Sequence, residues 1–102
     1  MDEIRIIWTQ TAIRQREKIF EYWNNRNKSN SYSKRINSVL YKKIDVLKSN
    51  PLIGIEIEDF DGRVLSFEKY GLVYRILQNF VFILAFWDNR QNPNKLRKIL
   101  GL

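Results

Sequence analysis

The chain of 102 residues contains neither cysteine nor histidine. The lack of cysteine excludes disulfides and thiolate metal sites, and it is compatible with a reducing cytoplasm, where we expect the protein to reside. The lack of histidine removes the side chain best suited to proton transfer near neutral pH, and with it Ser-His-Asp catalysis and the usual zinc sites. Any chemistry must therefore use Arg, Lys, Tyr, Asp and Glu, and we expect no metal and no cofactor.

Long apolar runs and glycine-rich loops are also missing. No segment is long enough to cross a bilayer, and the acidic start Met1–Glu3 is unlike a signal peptide. The four glycines are scattered, so no phosphate-binding loop is present. Hydrophobic residues at 44% and aromatic residues at 14% suffice for one modest core. We therefore expect a single domain over residues 1–102 that does not contact a membrane.

The net charge of +7 is unevenly distributed along the chain. Residues 1–50 hold eleven Lys/Arg against five Asp/Glu, whereas residues 51–102 hold seven against six. Such a surface attracts phosphate backbones. A solvated helical face that prefers an acidic protein partner explains the same charge, so both readings stay open.

The first half reads as a strand and two helices. Glu3–Trp8 is short and β-branched, which predicts a strand, and Thr9 or Thr11 offers an N-cap hydroxyl for a helix that is clear from Ala12 onward. The polar stretch Asn24–Ser33 predicts a break. A second helical pattern then runs to Asn50-Pro51, where proline stops it. The apolar stripe of the first helix consists of Ala12, Ile13, Ile19, Phe20 and Trp23. That of the second helix consists of Ile36, Val39, Leu40, Ile44 and Leu47.

The second half changes to strand periodicity after an acidic connector, residues 51–62. Strands are predicted over Arg63–Lys69 and Leu72–Leu77, with Tyr70-Gly71 as the turn between them. Eight apolar residues, 80–87, predict a last strand buried on both faces, and Pro93 can start a short C-terminal helix. The order β-α-α-β-β-β predicts an α+β domain in which an antiparallel helical hairpin packs on an antiparallel β-sheet.

Three arginines are candidates for binding phosphate. Arg63, Arg75 and Arg90 lie in or beside the three consecutive strands, and they would cluster if they shared a face, which depends on register. Clustered guanidinium groups bind phosphate bidentately. The alternative is structural, with each arginine paired to Glu68, Asp88 or another acid.

The acidic and aromatic residues of the second half can likewise be given either a functional or a structural role. Glu58 or a neighbouring connector acid could act as the base in RNA cleavage, with an arginine stabilising the phosphate, or these acids form a solvated loop that shields basic groups. The aromatic side chains of this half could stack nucleobases, but their periodicity favours the core. These candidate acids and aromatic residues are Glu56, Glu58, Asp59 and Asp61, and Tyr70, Tyr74, Phe86 and Trp87.

The order of motifs resembles the RelE/ParE superfamily of bacterial type II toxin–antitoxin toxins. The segment Ile44–Gly54 is similar to the family's "I..L...P..G" near the second helix, and Leu72–Ile76 (LVYRI) is similar to its "(I/V)YRI" strand. The final strand, Ile83–Phe86, is followed by a basic hook at Arg90. The resemblance covers about residues 4–97 and implies a helical hairpin on a twisted antiparallel sheet, with a cognate antitoxin as partner.

The resemblance implies one of two targets. RelE-like members cut mRNA in the ribosomal A site without a metal, whereas ParE-like members poison DNA gyrase. Here Arg90 matches the nuclease arginine after the last strand, but Gly71 stands at the middle-strand arginine position, and no Tyr or His follows Trp87. Gyrase inhibition is therefore the first hypothesis.

The second hypothesis is a ribosome-dependent mRNA endonuclease with Arg90, Arg75, Arg63 and Glu58 in its site. The third is an inactive toxin fold that only binds its antitoxin. For either target we expect Arg90, Lys69 and Lys95 to make the contacts. The antitoxin is expected to present an apolar helix or strand with acidic flanks to the basic surface.

Overall fold

The computed structural model describes residues 3–102; Met1 and Asp2, which open the acidic N-terminus, lie outside the described residues. The elements are β1 (Arg5–Trp8), α1 (Gln10–Asn27), α2 (Ser31–Ser49), β2 (Ile55–Glu56), β3 (Arg63–Phe67), β4 (Tyr70–Leu77), β5 (Phe80–Asp88) and α3 (Pro93–Ile99). This order confirms the α+β prediction. Among the described residues, no helix has the length and apolarity needed to span a membrane.

The helical hairpin has a tighter connection than the sequence predicted. The Thr9 hydroxyl accepts from the Ala12 N–H and caps α1, which then continues to Asn27 and ends at Lys28 in a left-handed conformation. The predicted break over Asn24–Ser33 was too long, because only residues 28–30 separate the helices. The Ser33 hydroxyl donates to the Asn24 side chain at 2.6 Å, and this contact holds the last turn of α1 against the start of α2.

The sheet contains the predicted antiparallel meander plus one parallel strand. Its strand order is β1-β5-β4-β3-β2, and β3, β4 and β5 pair antiparallel as expected. The N-terminal strand pairs parallel with β5, from Arg5 opposite Phe80 to Trp8 opposite Ile83, so the whole sheet is mixed. Parallel pairing follows because the hairpin and the meander separate the two strands and return the chain in the same direction.

The turn between the first two meander strands is at Glu68-Lys69, so the predicted turn at Tyr70-Gly71 was wrong. Glu68 adopts a φ of 52°, which the tight turn requires. Tyr70 starts β4 because its ring is fully buried and its hydroxyl lies 2.9 Å from the Tyr32 hydroxyl. The connector, predicted to lack a strand, includes the two-residue strand β2, which pairs with the start of β3.

The last strand is buried on both faces only in its second half. Phe80, Phe82 and Leu84 are only half-buried, whereas the residues of 85–88 are all buried. A register shift at Val73/Tyr74 separates these two parts of the β4–β5 pairing. The prediction of burial along the whole strand was therefore wrong. In the first half of the strand, no helix layer covers the sheet face that carries Phe80 and Phe82.

The core lies between the hairpin and the opposite face of the sheet. The predicted core aromatics Tyr70, Tyr74, Phe86 and Trp87 are buried, which confirms the structural reading. The Tyr74 hydroxyl donates to the Pro51 carbonyl at 2.7 Å and accepts from the Gly54 N–H at 2.8 Å. It thereby fixes the connector to the centre of the sheet.

Candidate functional site

Arg90 is held in place by the last residue of β5. Its Nε donates to Asp88 Oδ1 at 3.0 Å and its Nη2 to Asp88 Oδ2 at 2.6 Å, while its backbone N–H also donates to Oδ1. These hydrogen bonds lower the pKa of Asp88 and raise the pKa of Arg90 above its already high ordinary value. The Asp88 side chain is 11% exposed and that of Arg90 is 50% exposed, so a buried carboxylate presents a guanidinium group to solvent.

The indole of Trp23 on α1 is surrounded by three cations. The charged groups of Arg90, Lys69 and Arg26 lie 5.3, 5.4 and 5.7 Å from its ring centroid. They come from the end of β5, the β3–β4 turn and the last turn of α1, so the fold gathers them from distant parts of the sequence. Cation–π attraction to the ring offsets part of the repulsion among the three positive charges.

Two tyrosines hold the indole in place. The rings of Tyr22 and Tyr32 both lie 5.1 Å from that of Trp23. The Tyr32 hydroxyl is hydrogen-bonded to that of Tyr70, whose pKa is raised mainly by burial. Tyr70 therefore remains a neutral phenol at physiological pH and adds no negative charge to this cluster.

Two adjoining cavities that share Lys18, Ile19 and Gln91 form a groove along α1. Lys18, Trp23, Arg26 and Arg90 line its first part. The adjoining part is lined by Lys95 from α3 and shares Lys18 with the first. We call this surface the cationic groove and define it by Lys18, Trp23, Arg26, Lys69, Arg90 and Lys95. Its lining includes one acid, Asp88, which is engaged by Arg90. The groove is suited to carboxylates or phosphates of a partner.

Two of the predicted site arginines are engaged elsewhere. Arg63 donates to the Gly54 carbonyl at 2.8 Å and pairs with Glu56 at 3.0 Å. Arg75 donates to the Asp61 carbonyl at 2.7 Å, and Asp61 Oδ2 lies 3.6 Å from its Nε. Each of these strand arginines therefore has a connector acid as its ionic neighbour, as the structural alternative proposed.

The register also separates the candidate arginines. Arg63 pairs with Tyr74, which places Arg63 on the core-facing side, whereas Arg75 is the next residue of β4 and points to the other side. Arg90 lies two residues after Asp88, which pairs with Tyr70 on β4. The five residue steps from Tyr70 to Arg75 span about 16 Å. The structure therefore does not gather Arg63, Arg75 and Arg90 into one cluster.

Glu58 is exposed in the loop between β2 and β3, the loop that also contains Asp61, whereas Arg90 lies just after the end of β5. By contrast, Arg90 and Lys69 meet at Trp23, and Lys95 lies in the adjoining part of the groove. Of the predicted residues, the structure brings together those assigned to target or phosphate binding. It does not bring together the four assigned to catalysis.

The middle-strand position, at which the nuclease-type relatives are expected to have an arginine, lacks a cation in this chain. Gly71 is buried in β4, and a Cβ built there would lie 3.1 Å from Val64 Cγ1 and 3.3 Å from Asn89 Oδ1. These neighbours are uncharged, so this position provides no group to stabilise a phosphate. Within residues 3–102, no three or more His, Cys, Asp or Glu side chains converge as metal ligands would.

Sequence reasoning missed Trp23, Lys18 and Arg26 as members of the site. It assigned Trp23 to the core stripe, and the indole does pack there on one side. A signal was present, because Lys18, Tyr22 and Arg26 recur at four-residue spacing and therefore share one exposed helix face. Only the tertiary structure places Lys69 and Arg90 over that face.

Comparison with known proteins relates the chain to a protein family and to solved structures. The family model described as "ParE toxin of type II toxin-antitoxin system, parDE" matches residues 6–93. The chain is similar to the solved structure "Chromosomal ParDE TA system from P. aeruginosa", with a TM-score of 0.70 and 16% identity over 82% of this chain and 94% of that chain. At that identity the likeness shows a shared fold. No curated protein matches the chain.

Proposed function

This chain belongs to the ParE toxin family of type II toxin–antitoxin systems, and we propose that its toxic step is inhibition of DNA gyrase through protein contacts made by the cationic groove. The observation that carries the proposal is the convergence of Arg26, Lys69 and Arg90 on the indole of Trp23. Aromatic and arginine side chains of this kind are enriched among the residues that dominate protein–protein affinity.

The arrangement of charges favours protein contacts over RNA cleavage. Cleavage through a 2′-hydroxyl needs a base, a cation at the phosphate and an acid for the leaving oxygen, all within hydrogen-bond reach. Here Gly71 occupies the middle-strand position, Glu58 is remote from Arg90, and no Tyr or His follows Trp87. A binding surface needs none of these groups.

The same proposal includes the partner and the location of the protein. As in the system named for the similar structure, a cognate antitoxin would bind this single-domain toxin and hold it silent in the cytoplasm. The net charge of +7 favours an antitoxin with acidic segments.

The test is induction of this chain alone in a bacterial host, followed within minutes by genome-wide mapping of mRNA 5′ ends. The purified protein is assayed in parallel for inhibition of gyrase-catalysed supercoiling. We expect growth arrest with intact mRNA and inhibited supercoiling. New cuts inside translated codons, with supercoiling unaffected, would instead establish a ribosome-dependent nuclease, and a lack of arrest would indicate an inactive binding module.

The groove itself is tested by Arg90→Ala, with Arg14→Ala as the control. Arg14 is an exposed arginine of α1 for which the described residues show no ion pair and no ring contact. We expect Arg90→Ala to abolish growth arrest and supercoiling inhibition while circular dichroism shows an intact fold, and Arg14→Ala to remain toxic. Full toxicity of a folded, well-expressed Arg90→Ala variant would refute the role of the groove.

A further inference from the structure

The sheet face that points away from the helical hairpin carries an exposed patch. On the opposite face, Val81, Ile83 and Tyr74 are buried in the core. On the uncovered face, two rows of directly paired residues cross β1, β5 and β4. Paired residues of adjacent strands lie about 5 Å apart, so the two rows form one continuous surface. We call it the open-face patch; its rows are Ile7, Phe82 and Arg75, and Arg5, Phe80 and Leu77.

The centre of the open-face patch is apolar. The rings of Phe80 and Phe82 lie 6.0 Å apart at an interplanar angle of 33°, and both are half-buried. Leu77 is 59% exposed and Ile7 is 40% exposed at its two ends. Four large apolar side chains side by side on an uncovered sheet are unlike the scattered exposed residues of an ordinary surface, and such patches mark interaction sites.

Only positive charges flank this apolar centre within the patch. Arg5 is exposed, and the described residues show no ion pair for it. Arg75 has one acidic neighbour, Asp61, at 3.6 Å, but the Asp61 side chain is 88% exposed and the Arg75 side chain 42% exposed. An ion pair this solvated is weak and can be exchanged for one with a partner.

We propose that the open-face patch binds an apolar segment of the cognate antitoxin whose flanking carboxylates pair with Arg5 and Arg75. This proposal rests on the proposed function for the identity of the partner. Charge complementarity selects this occupant, since an acidic segment satisfies both arginines. A second copy of the chain would bring two positively charged patches together in a symmetric interface.

The open-face patch and the cationic groove share none of their defining residues. The groove lies along α1, on the hairpin side, whereas the patch lies across β1, β5 and β4 on the uncovered face. Antitoxin binding and target inhibition can therefore be altered independently by substitution. Ile7→Thr/Leu77→Gln keeps strand-compatible side chains and removes apolar surface from both ends of the patch.

The matched control is Leu52→Gln/Ile53→Thr. Leu52 and Ile53 are 63% and 44% exposed, close to the values for Leu77 and Ile7, but they lie between α2 and β2, outside the patch. Both double variants remove one leucine and one isoleucine of comparable exposure. Any difference between them therefore reports position rather than loss of hydrophobicity.

The experiment measures the Kd of each full-length variant for the antitoxin encoded beside the toxin, by calorimetry, with supercoiling inhibition measured on the same preparations. We expect the patch variant to weaken antitoxin binding by about tenfold or more, the control by less than about threefold, and supercoiling inhibition to be unchanged in both. Arg5→Gln should weaken the salt dependence of Kd, because one screened ion pair is lost.

Several outcomes would overturn the proposal. Equal antitoxin affinities for the patch variant, the control and the unsubstituted chain would do so. Loss of supercoiling inhibition with unchanged antitoxin affinity would assign the patch to the target instead. Self-association of the unsubstituted chain that only the patch variant abolishes, again with unchanged antitoxin affinity, would assign it to a second copy. Failure of gyrase inhibition alone would refute the proposed target and leave the antitoxin measurement valid.

Discussion

Asp88→Asn isolates the charge that positions Arg90. Asparagine keeps the size and shape of the side chain but removes its negative charge and replaces one acceptor oxygen with a donor. The substitution therefore loses the charge-assisted hydrogen bonds to Arg90 Nε and Nη2, at 3.0 and 2.6 Å, without leaving a cavity in the fold. The guanidinium group over Trp23 then loses its fixed orientation.

The expected loss of stability follows from the burial of the two groups. A hydrogen bond to a charged group contributes about 1.5–3 kcal/mol when it is well shielded. The Asp88 side chain is 11% exposed, but the Arg90 side chain is 50% exposed, so water competes with Asp88 for hydrogen bonds from the guanidinium group. We expect a loss of about 1–2 kcal/mol in the free energy of unfolding at pH 7. For a domain of this size the corresponding decrease in Tm is about 5–10 °C.

The sign of the pH dependence follows from the lowered pKa of Asp88, whose largest cause is the hydrogen bond from Arg90. The unfolded chain titrates near the ordinary value of about 3.9. Because the folded pKa lies below it, the ion pair stabilises the protein fully above the unfolded value. That contribution is lost as the pH falls from there through the folded pKa. The difference in the free energy of unfolding between the original chain and Asp88→Asn should therefore become smaller at acidic pH.

The assay is urea unfolding of both proteins at pH 7 and at pH 2.5, with Asp45→Asn as the control. Asp45 is exposed on α2, and no ion pair is seen for it among residues 3–102. We expect a stability difference at pH 7 for Asp88→Asn only, and a smaller difference at pH 2.5. An equal difference at both pH values would show that packing, not charge, is responsible, and the reasoning about Arg90 would be wrong.

Two further substitutions test packing and surface charge. Tyr74→Phe removes the hydroxyl that joins Pro51 to Gly54, so a buried N–H loses its acceptor. We expect urea unfolding to show a loss of about 1–3 kcal/mol, and unchanged stability would mean that water replaces the hydroxyl. Arg35→Gln breaks an ion pair with Glu68 whose partners are 55% and 36% exposed. Thermal unfolding should show an unchanged Tm because solvent screens this pair, and a clear decrease would contradict that view.

Most of the fold was predictable from the sequence because each element carries its own local signal. Thr9 supplies the cap of α1, the proline at 51 stops α2, and Pro93 starts α3. The Glu68-Lys69 turn was missed, because Tyr70-Gly71 has the better turn composition. Burial of the Tyr70 ring overrides that local preference.

The candidate site was predictable only in part, because its geometry depends on long-range register. Arg90 and Lys69 were among the residues expected to contact the target or a phosphate, but their contact with Trp23 requires α1 to cross β5 at one particular place. Alternation within each strand could not decide whether Arg63 and Arg75 share a face. That answer came from the pairing of Arg63 with Tyr74, one residue before Arg75.

The two proposed surfaces meet at α3, which determines how one antitoxin could neutralise the toxin. Lys95 lines the cationic groove, and Ile99, one turn later, lines both that part of the groove and a cavity that contains Arg75 of the open-face patch. An antitoxin segment anchored on Phe82 and paired with Arg75 would therefore reach Ile99 next. From there its acidic flank is within one helical turn of Lys95. Under this arrangement the apolar patch provides the affinity, and blockage of the groove follows from continuity across α3 without any change in the fold of the toxin.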